Sequence, residues 1–392
     1  MRSSRYPFSW PISPESIARE TALFERELAD AEAAPGPDGR SVLAARYKLG
    51  RAYRFVGRYR DAVELQKLNL EASLRALGPD DPVTVTTRYE LVRSSMSAGQ
   101  PPRGVAELER SSADLDRVLG ADHPDAITAR CFLGAALVRD GALASGRPLL
   151  EQSLADSKRV LGPDDPDTLA CRIWLAMAQG LDERVGLAFK LAKRAMAECR
   201  RALPPGHPVE IECRSFLGTL YQATGRVSEG IAEHKRALVD YERVYGPSHP
   251  LVIGERAQLG NAYMQAGRYE TAIALLQEAI MDLDRLLGAD DTVALCARID
   301  LGNALARASR TAEAVTALKE VSADCERVLG RDDRLTLSSR AGLARAYALA
   351  GRRLKANVLY RRVLAGYERT LGPEHPVTQR YRNRWSRGSH PR

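Results

Sequence analysis

A six-residue segment returns every 42 residues along this chain, and that period constrains the fold more than composition can. Leu77-Gly78-Pro79-Asp80-Asp81-Pro82 recurs from Leu119, Leu161, Leu203, Tyr245, Leu287 and Leu329, and closes as Leu371-Gly372-Pro373-Glu374-His375-Pro376. A worn copy, Pro35-Gly36-Pro37-Asp38, lies one interval before the first. Each unit divides into two helices. Glycine after leucine stops a helix because it takes the left-handed conformation cheaply, and the following Pro and Asp supply a turn and an N-cap. Helix A then runs about sixteen residues to a second glycine, such as Gly57, Gly225, Gly267 or Gly351. Helix B fills the remainder, as where Ile273, Leu276, Ile280 and Leu283 keep helical spacing. Two such helices cannot bury their apolar faces alone, so neighbouring units must stack.

The expected fold is an all-α solenoid of about eight antiparallel helix pairs in three parts. Residues 1–34 form a capping helix and tail, 35–376 the repeat array, and 377–392 a partial helix with an Arg-rich tail. The capping helix follows from Ser13-Pro14, an N-cap with proline at the first helical position, and from Ile17, Leu23, Phe24 and Leu28 on one face. The fourth unit departs from the pattern at Gly180-Leu181-Asp182-Glu183 and Leu203-Pro204-Pro205-Gly206, which reads as a local distortion.

Other classes fall away on composition. Of the 392 residues, 44% are hydrophobic, which excludes a disordered chain. No run of eighteen apolar residues occurs, and residues 1–14 hold no secretory core, so no membrane partner and a cytoplasmic location are expected. The net charge of +8 is concentrated at the ends. Residues 1–12 hold two arginines and no acid, residues 377–392 five arginines and no acid, and 13–376 is left at +1. Such a body offers no continuous phosphate-tracking surface. The six cysteines form no CxxC pair and read as buried free thiols.

Leu259-Gly260, Ala262-Tyr263, Gly267, Ala272, Leu276 and Ala279 follow the tetratricopeptide pattern, as do Leu217-Gly218, Tyr221 and Gly225, and Leu49-Gly50, Tyr53, Gly57 and Ala62. The chain resembles tetratricopeptide repeat proteins over about 35–376. Its 42-residue period and its linker are similar to the kinesin-light-chain-like subclass of actinobacterial type. The resemblance implies a right-handed superhelix with helices A lining a concave groove. It departs where Arg replaces the aromatic that often opens helix A.

One column of the repeat is strict. Arg46, Arg88, Arg130, Arg172, Arg214, Arg256, Arg298, Arg340 and Arg382 each stand three residues before the Leu of Leu-Gly. Buried charge needs partners, and helix B supplies Asp114, Asp156, Glu198, Asp240, Asp282 and Asp324 at the same period. An ion-pair ladder that sets stacking register is expected. The histidines His123, His207, His249 and His375 share one linker slot with Asp81 and Asp165, which points to capping rather than a metal site. No nucleophile–base–orienter cluster and no phosphate-binding glycine loop is present. Neither catalytic residues, a metal nor a cofactor is expected.

What remains is the groove implied by the resemblance. Its ligand-facing residues are Arg51, Arg54 and Arg93, then Trp174 and Phe216, then Gln222, Asn261, Gln265, Asn303 and Arg345. Only Glu90 stands near the three arginines as an acid, so they are expected to hold acidic side chains or a terminal carboxylate. The amides would bond the ligand backbone. Phe132, Trp174 and Phe216 suit packing between neighbouring helices equally well. The function expected is a non-catalytic scaffold for a protein or peptide, acidic in character. Two alternatives stay open: a regulatory or sensing subunit of a separate enzyme or NTPase, and nucleic-acid association through the tail, with Tyr381 and Trp385 available for stacking.

Overall fold

The computed structural model describes residues 12–33, 39–98, 104–139, 141–181, 184–375, 377–379 and 381–383, and every regular element among them is α-helical. Two compact units divide between Glu255 and Arg256. The first holds α1 (Pro14–Ala33), α2 (Arg40–Phe55), α3 (Tyr59–Leu77), α4 (Pro82–Ser97), α5 (Gly104–Leu119) and α6 (Pro124–Arg139). It continues through α7 (Leu143–Val160), α8 (Pro166–Leu181), α9 (Val185–Ala202), α10 (Pro208–Ala223) and α11 (Val227–Tyr245). The division falls inside α12 (Pro250–Gln265). The second unit continues with α13 (Tyr269–Leu286), α14 (Thr292–Arg307), α15 (Thr311–Leu329), α16 (Arg334–Leu349) and α17 (Arg353–Leu371). The irregular fourth repeat keeps its helix pair, α8 and α9.

Within each unit successive helices pack in chain order, and even-numbered helices also touch one another: α2 with α4, α6 with α8, α8 with α10, and α14 with α16. Helices A therefore form an inner row. Small residues let each pair pack closely: an added Cβ at Gly302 on α14 would lie 2.5 Å from the Leu318 side chain on α15. No helix among the described residues is long and apolar enough to cross a membrane.

The linker is a capping device. Gly78 ends α3 at φ 88°, a conformation that favours glycine. The next carboxylate caps α4: Asp81 accepts from the Val83 N–H at 2.8 Å, and Asp291 and Asp333 do the same for α14 and α16. The four linker histidines substitute their Nδ1 as acceptor, from Asp125 N–H at 3.2 Å, Val209 at 3.3 Å, Leu251 at 3.1 Å and Val377 at 3.2 Å. Histidine and aspartate interchange there because each places an acceptor over the first helical turn.

The arginine column is ion-paired throughout, with a correction to its register. Arg88 meets Asp114 at 2.6 Å and Arg256 meets Asp282 at 3.0 Å, across the pair, and Arg172 meets Glu198 in the same way. Arg46, Arg298, Arg340 and Arg382 turn instead to the preceding helix B, to Glu32, Asp284, Glu326 and Glu368. Arg130 does both, with Asp116 and Asp156. Arg214 is shared by Glu210, Glu233 and Asp240. Glu198 belongs to Arg172 and Arg194. A second ladder ties Arg117, Arg159, Arg201, Arg327 and Arg369 to the linker residues Asp80, Asp122, Asp164, Asp290 and Asp332.

The first unit closes on itself. Ile12, Ile17 and Phe24 pack with Ile211, Tyr241, Val244 and Val252, against Ala52, Phe55 and Val56 of the first repeat. The Phe55 and Tyr245 rings lie 5.1 Å apart, and Tyr245 stacks on His249 at 4.4 Å. His249 Nδ1 is occupied as a cap acceptor, so its Nε2–H donates to the Phe55 carbonyl at 2.9 Å. Gly57 lets the chains approach there: at φ 80° an added Cβ would sit 2.5 Å from Pro250.

Candidate functional site

Helices α2 and α4 bring Arg51, Arg54 and Arg93 together, around Glu90. Arg93 lies 3.1 Å from that carboxylate, Arg54 3.3 Å and Arg51 3.8 Å. The three cations expected to be open are therefore internally paired, and Arg51 and Arg93 are buried. Burial raises the Glu90 carboxyl, but Arg93, Arg54 and Arg51 outweigh it and hold it down at about 2. Burial, with Arg93 beside it, lowers Arg54 to about 10. Asp125 and Asp167 join Tyr47, Tyr89, Arg51, Glu90 and Arg93 around a crevice with space for about one water molecule.

Next along the row, Arg93 lies over Phe132 at 5.2 Å, and Phe132 meets Trp174 at 5.9 Å. The Trp174 indole N–H donates to Glu212 at 2.8 Å. Phe216 packs half-buried against the core of α8 to α10. Both aromatics sit between helices. Gln222 is a second correction: it is buried, 2.7 Å from His234 Nε2. His234 is fully buried, and its Nδ1–H donates to Glu255 at 2.8 Å, while Ser215 donates to the same carboxylate. Gln222 therefore belongs to a core polar network rather than to a ligand surface.

In the second unit the row reads differently. Asn261 donates to Asp300 at 3.2 Å and accepts from Gln265 at 3.1 Å. One repeat on, Arg345 donates to Asn303 at 3.2 Å. Asn261, Asn303 and Arg345 are half-buried, and Gln265 is exposed. Asp300 has no cation partner among the described residues. Burial raises its carboxyl to about 6, and the Asn261 hydrogen bond offsets only part of this. Asp300 went unnoticed in the sequence although it lies in the same column as Glu90, five 42-residue intervals later.

The remaining sulfur and aromatic chemistry is quiet. All six cysteines are free, five of them buried. Burial pushes Cys199 and Cys296 up to about 12 and Cys325 to about 11, far from a reactive thiolate. Tyr381 packs half-buried against Tyr367, ring centroids 4.9 Å apart. Trp385 and the tail from 384 onward lie outside the described residues.

One model described as tetratricopeptide repeat matches residues 211–280, 255–326 and 293–369, and another matches 42–83 and 127–167. Together these spans exceed half the chain. The chain belongs to the tetratricopeptide repeat family. Among solved structures, this repeat protein is similar in fold to a Rap protein complexed with competence and sporulation factor. The two are 11% identical, with 88% of this chain and 97% of that chain covered at a TM-score of 0.59. The apo quorum sensor NprR from B. thuringiensis is 12% identical, covering 88% and 98%, at a TM-score of 0.50. A kinesin-light-chain-type protein of nearly identical TPR-like repeats from Podosopora anserina is 25% identical. It covers 52% of this chain and 97% of that chain at a TM-score of 0.42. No curated protein matches the chain.

Proposed function

We propose that this repeat protein is a non-catalytic scaffold that binds an extended protein or peptide segment along helices A of the second unit. The carrying observation is the row Asn261, Gln265, Asp300, Asn303 and Arg345, where Gln265 bonds Asn261, Asn261 bonds the Asp300 carboxylate, which has no cation partner among the described residues, and Arg345 bonds Asn303. A carboxamide both donates and accepts, which suits a peptide backbone that alternates N–H and C=O. Arg345 supplies a fork for a ligand carboxylate, and Asp300 accepts from a ligand N–H. Arg51, Arg54 and Arg93 instead converge on Glu90 inside the first unit. Trp174 and Phe216 act as packing for the row. Six free thiols fit a reducing compartment, the cytoplasm.

The test is selection of peptides from a random displayed library on the full chain, followed by titration. Asn303→Ala should weaken the recovered peptides by more than tenfold while the melting temperature holds. Peptides that bind this variant as tightly as the parent would place recognition elsewhere.

A further inference from the structure

Asp300 holds the repeat position of Glu90, but the cations that serve Glu90 are missing from its surroundings. Glu90 takes Arg51 and Arg54 from α2, at 3.8 and 3.3 Å, and Arg93 from its own helix at 3.1 Å. Five 42-residue intervals later those three positions hold Asn261, Met264 and Asn303. Two carboxamides and a thioether thus stand where the first unit has three guanidiniums, and none of them carries charge. The carboxylate is nevertheless retained. Among the described residues Asn261 donates to it at 3.2 Å and no cation pairs with it. Burial raises this carboxyl to about 6, so its charge at neutral pH destabilises the fold, and a bound cation would relieve that penalty. Asp300, Asn261 and Asn303 are half-buried, so the carboxylate remains within reach from the row.

We propose that Asp300 anchors an arginine side chain of the segment bound along this row, an inference that rests on the groove reading given above. The ligand would supply from outside the guanidinium that Arg51, Arg54 and Arg93 supply from within in the first unit. Its planar fork would donate two N–H bonds to the carboxylate, in the geometry that makes such pairs strong. Lysine fits less well. Its ammonium is a strongly hydrated point charge, harder to bring into a half-buried site and unable to bond both oxygens in one plane. A metal ion fits worse still, because no group of three His, Cys, Asp or Glu able to hold one occurs among the described residues. Asp300 would therefore set which peptides the row accepts, while the amides beside it bond any peptide backbone.

Peptides selected from a random displayed library on the full chain are the probe. Those weakened by Asn303→Ala should share one position enriched in arginine. Replacing that arginine with citrulline, its neutral isostere, should weaken binding to the parent protein more than tenfold, and binding to Asp300→Asn less than twofold. Lysine at the same position should bind the parent more weakly than arginine. Asn261→Arg restores a guanidinium of the first unit, so it should abolish the arginine preference and raise the melting temperature. Asn303-dependent peptides with no arginine preference would overturn the inference and leave the groove reading standing, as would a citrulline peptide bound as tightly as its arginine parent. Lysine bound as tightly as arginine would overturn the choice of a guanidinium. Selected peptides indifferent to both Asn303→Ala and Asp300→Asn would overturn the groove reading and this inference together.

Discussion

Glu90 in the first unit and Asp300 in the second occupy one column of the repeat, yet their surroundings are opposite. Glu90 is ringed by Arg51, Arg54 and Arg93 and driven down to about 2, whereas Asp300 meets one amide and is raised to about 6. The difference is in the neighbouring column. Arg51 and Arg93 stand where the second unit has Asn261 and Asn303. Replacing guanidinium by carboxamide turns a cluster of ion pairs around one carboxylate into a row of hydrogen-bonded amides. The units also differ at their edges, since the first is fastened by Phe55, Tyr245 and His249. One repeat thus yields a row of ion pairs in the first unit and a row of amides around one carboxylate in the second.

The largest effect should come from breaking the ion cluster. Glu90→Gln leaves three buried or half-buried guanidiniums without their counter-charge and should destabilise by about 3–5 kcal/mol in chemical denaturation. Wild-type stability surviving that change would remove the contrast at its root. Acid should act next, and with opposite sign in the two units. Burial lowers His249 to about 4, while an unfolded imidazole takes its proton near pH 6.5. The unfolded chain binds more protons between these values, so this contribution is complete above pH 6.5. About 3 kcal/mol is lost as pH falls towards 4. His249→Asn keeps a cap acceptor and should flatten that part of the pH–stability curve.

Arg214→Ala, which leaves Glu210, Glu233 and Asp240 facing one another, should lower stability by about 1–3 kcal/mol. Ligand affinity should not change selectively. Asp300→Asn should do the reverse of Glu90→Gln. Asp300 ionises near 6 folded and near 3.9 unfolded, so its charged form penalises the fold above pH 6 and the penalty vanishes below about pH 4. The asparagine variant should therefore be more stable by about 1 kcal/mol at pH 7 and equal to the parent near pH 4. Melting curves at the two pH values decide it.

The period, the helix pairs and the capping linker were legible because each is local: Leu-Gly stops a helix and Asp or His caps the next within a few residues. The arginine ladder was legible as a column, but not its partners. Arg298 chose Asp284 on the preceding helix instead of Asp324, a choice only packing fixes, whereas Arg340 meets Glu326 because Gly366 fills the slot one pair onward. Candidate groove residues divided by the same logic. Asn261, Gln265, Asn303 and Arg345 cluster as their spacing implies, whereas Gln222 turned inward because His234 offered it a buried partner. The contact of Phe55 with His249 joins residues 194 apart and left no trace in a 42-residue pattern.

The most direct test of the division between the units is the affinity of library-selected groove peptides for two single variants of the full chain. Titration calorimetry should show Asn303→Ala weakening binding by more than tenfold at unchanged melting temperature, while Arg51→Lys leaves affinity within about twofold of the parent. Binding abolished by Arg51→Lys and untouched by Asn303→Ala would contradict the account.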